Sequence, residues 1–135
     1  LQGVASVVVD AGRVRPADAV DPFEDHPLLA ALRADLFRPP AVDGVERGEL
    51  RELVRRGHVV ERDGVCFHRE AIDAAAEVAA RLLADRPDGF TVAEFRDATG
   101  ASRKFALPLV AELDARGVTR RRDDLRIAGP RLPGT

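Results

Sequence analysis

Apolar residues recur along this chain at two spacings, three-to-four and two, and the switches between them mark out the elements. Leu28, Leu29, Leu32 and Leu36 repeat at helical spacing after Pro27, a residue that forfeits no bond at a first helical position. The predicted helix opens at His26 or Asp25 and ends at Pro39-Pro40. Leu50, Leu53 and Val54 then form the stripe of a second helix over about 46–56, closed by Gly57. Alternation replaces this period at residues 58–62 and 65–68, joined by Asp63-Gly64, a pair suited to a type I′ hairpin turn. Residues 69–86 return to the helical period with Ile72, Ala75, Ala79, Leu82 and Leu83 on one side. Pro87-Asp-Gly89 turns the chain into Thr91-Val-Ala-Glu94, a capping box flanked by Phe90 and Phe95 at the staple positions. The short helix that follows, about 92–98, stops at Gly100. Ser102 can cap a further helix bearing Ala106, Leu109, Val110 and Leu113, which runs to Arg116 and stops at Gly117. Residues 118–120 and 125–127 are short β-prone runs joined through 121–124, a second hairpin.

Helix, tight turn, helix, hairpin is the winged-helix order. The expected fold is mostly α with small β-hairpins, arranged as tandem winged-helix modules. Residues 22–68 form a degenerate first module whose middle helix is missing or reduced to a turn at 41–45. Residues 69–130 form the terminal module, and 131–135 a disordered tail. Residues 1–21 supply a hairpin (Val4 to Val9 returning through Arg13 to Arg15) and a linker left from a preceding module. The chain begins with Leu and has no initiator Met, so a fragment of a longer protein is expected. Each module is about 60 residues or fewer and marginal alone, so docking through the helix 69–86 is expected to help.

The terminal third carries a resemblance. Gly100-Ala-Ser-Arg-Lys-Phe-Ala-Leu-Pro-Leu109, Leu113-Asp114, Gly117-Val-Thr-Arg-Arg121 and Asp124-Leu-Arg-Ile127 together resemble the last winged-helix module of the selenocysteine-specific elongation factor SelB family. The resemblance is close over about a third of the chain and one of layout upstream. It implies a module that reads the hairpin element of selenoprotein mRNA, so that the factor delivers selenocysteinyl-tRNA at UGA. It also implies that the GTPase, with its GTP and Mg, lies in upstream domains, that any ribosome contact is made through the full-length factor, and that this part is a monomer without cofactors.

Composition narrows the alternatives. The 135 residues are 45% hydrophobic and 33% charged, a globular balance, with no apolar run long enough for a membrane span and no leader. The single cysteine, Cys66, excludes an internal disulfide and agrees with a reducing, cytoplasmic setting. The sole lysine, Lys104, lies in no phosphate-binding loop, and neither a zinc-protease helix nor a hydrolase serine motif occurs, so no enzyme is expected. His58, Cys66 and His68 are three donors where a structural metal takes four, and they read as packing residues with no metal.

Net charge is −2, yet residues 96–126 hold 8 basic and 5 acidic side chains while residues 1–95 hold 12 basic and 18 acidic. A cationic patch confined to one module is the footprint of nucleic-acid binding. Arg103 and Lys104 fall in the first turn of the helix opened at Ser102, where free N–H groups and the dipole already favour phosphate. By resemblance, Ser102, Arg103, Lys104, Thr119, Arg120 and Arg121 form the RNA site, with Arg122 at the wing tip and Arg96 and Arg126 as weaker backbone contacts. Pro108 should bend or open the helix near Lys104, and Phe105 should pack in the core. The helix's later face carries Ala111, Glu112, Ala115 and Arg116, poor for reading a DNA groove and with an acid toward phosphate. A helix entrance and wing base forming one cationic knob suit RNA loops, whose bases splay out. The alternatives are a DNA-binding winged-helix regulator and a protein-interaction scaffold.

Overall fold

A computed structural model describes residues 21–133. The expected strands at 4–9 and 13–15 lie outside the described residues. Helix α1 spans Pro27–Ala34, with His26 as its N-cap: Leu28 N–H donates to the imidazole Nδ1 at 3.1 Å. The helix ends two residues short of Leu36, because the chain leaves helical geometry at Asp35. Leu36 and Phe37 are thereby released from the α1 stripe and pack against the other module's core. Between α1 and the second helix there are only turns, one closed by Val45 N–H to the Val42 carbonyl at 3.0 Å. Helix α2 spans Arg47–Arg55 and is capped by the Glu46 carboxylate.

Strands β1 (Val59–Arg62) and β2 (Val65–His68) pair antiparallel through Asp63 and Gly64, both at positive φ (54° and 80°), as the Asp-Gly pair predicts. Side chains alternate across a strand, so this hairpin has two faces. Val59 and Cys66 go to a core with Leu28, Leu29, Leu32 and Leu53; Val60, Val65 and Phe67 go to the core of the terminal module. The hairpin is therefore a wall shared by both cores, a second junction beside the expected shared helix.

Helix α3 spans Arg69–Asp85 and buries Ile72, Ala75, Ala79 and Leu83. Its N-cap is His68, whose Nδ1 accepts from Glu70 N–H at 3.0 Å. Helix α4 spans Val92–Thr99 and carries the complete capping box: Glu94 N–H donates to Thr91 Oγ1 at 3.1 Å and Thr91 N–H to Glu94 Oε1 at 2.8 Å. Phe90 and Phe95 stack with ring centroids 6.0 Å apart. Gly100, at φ 75°, ends α4 in the left-handed conformation that glycine adopts without steric cost. Helix α5 spans Arg103–Ala115, and β3 (Thr119–Arg122) and β4 (Leu125–Ala128) form the terminal wing. Phe90 exchanges two backbone hydrogen bonds with Arg126, at 3.0 and 2.8 Å, and covers the outer edge of β4. The wing loop is the two residues 123–124 instead of the four expected, because pairing extends to Arg122↔Leu125.

Both ends of the described chain are tied down. Asp21, read as the end of a linker, is tied down by Phe23 N–H (2.9 Å), Arg56 (2.6 Å) and His58 (2.8 Å). Residues 131–133, read as the start of a disordered tail, pack onto the terminal module, with Leu132 only 7% exposed. Arg131 N–H donates to the Gly117 carbonyl at 2.9 Å, which holds this segment across the base of the wing.

Candidate nucleic-acid interface

The entrance of α5 is open. Ser102 occupies the N-cap position, but its hydroxyl makes no capping bond, contrary to the expected cap, and Ser102, Arg103 and Lys104 are all exposed. The Ser102 carbonyl accepts from Phe105 and Ala106 N–H at 3.0 and 2.8 Å, while the N–H groups ahead of them have no ladder partner. Arg103 and Lys104 make no ion pair among the described residues; Lys104 Nζ stands 5.4 Å from the Phe105 ring centroid. Pro108 sits inside α5 without interrupting it, so the expected opening is absent. Its missing N–H still removes the i+4 ladder partner of the Lys104 carbonyl. An uncapped first turn flanked by two cations has the chemistry to receive an anion.

The wing is rooted at the opposite end of α5. Asp114 accepts from Thr119 Oγ1 at 2.6 Å through one carboxylate oxygen and from Arg126 Nε at 3.0 Å through the other. Thr119 is 1% exposed and the Arg126 side chain 12%. Both therefore hold the wing onto α5, turned inward from the face where the resemblance would use them. Eleven residues separate Arg103 from Asp114, about 16 Å of helix at 1.5 Å per residue. The structure does not gather the entrance and the wing base into one knob; it sets them at two ends of a helix. Arg120, Arg121 and Arg122 are exposed on β3; Arg121 Nε is held by the Asp123 carbonyl at 3.1 Å, and Arg120 and Arg122 are without partners among the described residues. Arg96 on α4 is half-buried, with its Nε enclosed and unbonded.

Glu112, expected to face phosphate, is withdrawn from that role. Arg62 Nε of β1 donates to one of its oxygens at 2.9 Å and Arg116 Nε to the other at 2.7 Å, and its side chain is 14% exposed. Burial alone raises this carboxyl, but the two guanidiniums outweigh it and leave the group below its ordinary range. Arg62 reaches across because it shares the strand face of Val60 and Phe67. This link was invisible to spacing, since nothing in the sequence says which hairpin face meets α5.

The three residues weighed as metal ligands have other tasks. His58 Nε2 meets Asp21 at 2.8 Å, and His68 caps α3 while its Nε2 lies 3.1 Å from Arg33 Nη2. Burial pushes the His68 imidazole down and the Cys66 thiol up. No helix among the described residues is long and apolar enough to cross a membrane.

Among the described residues, five helices with two small antiparallel hairpins, the second folded against a helix whose entrance is cationic, define a winged-helix protein. Residues 81–128 match the family described as the winged helix of elongation factor SelB. No curated protein matches the chain by sequence. Among solved structures, the mRNA-binding domain of elongation factor SelB from E. coli, in complex with SECIS RNA, is similar at TM-score 0.54 and 26% identity. The likeness covers 62% of this chain and 69% of that one. A bacterial selenocysteine-specific elongation factor, EF-Sec, shares the fold at TM-score 0.56 and 20% identity, over 64% of this chain and 14% of that one.

Proposed function

We propose that the chain is the RNA-hairpin-binding region of a selenocysteine-specific elongation factor, and that its terminal module grips the selenocysteine insertion element of selenoprotein mRNA. The observation that carries this reading is the open entrance of α5, where an uncapped turn and the free side chains of Arg103 and Lys104 converge. The likeness to a domain solved with SECIS RNA supports it. Ser102, Arg103 and Lys104 hold phosphates at one end of α5, and Arg120, Arg121 and Arg122 reach a second stretch of backbone from the wing. Phosphate contacts set position, and splayed loop bases supply specificity. Binding is the whole of this region's task; GTP hydrolysis, ribosome contact and delivery of selenocysteinyl-tRNA in the cytoplasm belong to the full-length factor.

A salt series tests the reading, using a selenoprotein-message hairpin, a scrambled hairpin and a DNA duplex of equal length. A preference for the message hairpin that persists as salt rises is expected, because counterion release weakens all three alike. Equal affinities that collapse together, or a preference for the duplex, would overturn it.

A further inference from the structure

The apolar stripe that spacing assigns to the core along α2 is only partly used by it. Leu53 is the one residue of this helix that is fully buried, while Leu50 and Val54 lean on the first core and stay half-buried. Arg47 and Arg51 fall at the same helical spacing, so Arg47, Leu50, Arg51 and Val54 share one face of α2. That face and Glu61 of β1 line a cleft of about 350 Å³. A second cleft, of about 470 Å³, shares Val54 and Glu61 with the first and continues it to α3 and α5. Together they form one groove that crosses both modules, on the scale of clefts that take up ligand side chains.

The two rims of this groove carry opposite signs. Arg47 and Arg51 are exposed on the α2 side and make no ion pair among the described residues; the neighbouring Glu46 carboxylate is committed to the α2 cap. Glu61 and, further along, Asp73 are exposed on the other side, equally without ion pairs among the described residues. Arg69 lies one helical turn from Asp73, and Glu112 and Arg116 at the far end are already paired. A nucleic acid would bring phosphates to both rims, and the Glu61 side repels them; the walls also offer no aromatic ring for a base to stack on. An amphipathic helix suits both rims. Its apolar stripe covers Leu50 and Val54, carboxylates on one flank meet the arginines, and cations on the other meet Glu61. We propose that the groove docks such a mixed-charge amphipathic helix from a protein partner. It reaches α5 at Glu112 and Arg116, the end away from the open entrance, so one chain can hold RNA and this partner together.

The test uses the whole chain and a blocked peptide of ~14 residues, about four helical turns, with leucines at heptad spacing, glutamates along one flank and lysines along the other. A second peptide carries lysines on both flanks. Amide shifts in NMR spectra should place the mixed peptide against Leu50, Val54 and Glu61, and it should bind more tightly than the all-lysine one. Arg47→Glu combined with Arg51→Glu makes both rims acidic; both positions are exposed, and thermal melting checks that the variant folds. The variant should bind the mixed peptide about tenfold more weakly, prefer the all-lysine peptide and hold the message hairpin as the wild type does. Peptide shifts that fall elsewhere or do not occur, or a peptide preference that survives the charge reversal, would overturn the proposal. So would loss of the message hairpin by the variant, or a scrambled RNA hairpin that shifts the same amides, since either makes the α2 arginines phosphate contacts.

Discussion

Arg62 on the first hairpin and Glu112 on α5 join the two cores through an ion pair of 2.9 Å, and Arg116 closes on the second oxygen of Glu112. Arg62→Ala and Glu112→Gln should each lower stability, and a double-mutant cycle should return a coupling of about 1 kcal/mol, as for a partly buried pair in one network. The folded carboxyl lies below its ordinary value, so its contribution is present above the ordinary glutamate range and is lost as acid protonates it. Urea unfolding at pH 7 and pH 3 checks both statements: the coupling should shrink at the lower pH.

Acid should also loosen the first module. Asp21 is held down to about 2, first by the Phe23 N–H and then by His58, and Glu52 to about 2 by Arg55 and Arg56. Both are depressed carboxylates, so the stability they give is complete above about pH 5 and disappears as pH falls through about 2. Asp21→Asn should flatten part of this slope. Thermal melts between pH 2 and 6, on the chain and the variant, would show whether it does.

Exposed and inward arginines should separate in their effects. Arg103→Ala and Lys104→Ala should leave thermal stability unchanged, weaken hairpin binding and lower the salt slope by roughly one each, the signature of a lost phosphate contact. Thr119→Val and Arg126→Ala remove partners of Asp114, so their primary cost is stability, about 1–2 kcal/mol each. Equal binding loss from Arg51→Ala and Arg55→Ala on α2 would contradict a site in the terminal module.

Gly129 lies where the chain crosses back beneath the wing, and a Cβ built there would stand 2.3 Å from the Gly117 carbonyl oxygen. Backbone cannot yield as a flexible side chain would, so Gly129→Ala should cost about 1–3 kcal/mol and release Leu132 from the core. Differential scanning calorimetry gives the first, and hydrogen exchange at residues 129–133 the second.

What the sequence revealed and what it hid divide along a physical line. Local features were legible: the α1, α3 and α5 stripes, the Asp63-Gly64 turn and the Thr91–Glu94 box each depend on residues within one or two turns of each other. Of the candidate site, only the open and exposed α5 entrance was legible. Thr119 and Arg126 looked available because a basic strand end reads as solvated until its neighbour is known, and that neighbour, Asp114, is placed by the approach of α5 to the wing. The same holds for Glu112 and Arg62, fifty positions apart. Leu36 fitted the α1 stripe by spacing, but the chain turns at Asp35 and sends it to the other core, a choice no period records.

The first hairpin, with Val59 and Cys66 set in one core and Val60, Val65 and Phe67 in the other, leaves no hinge between them. Turning one half against the other would drag packed side chains across a strand whose pleat admits no intermediate register. Residues 21–133 therefore act as a strut. What one end holds is kept at a set distance and bearing from whatever the other end carries, and tension on it arrives as displacement with no slack to absorb it.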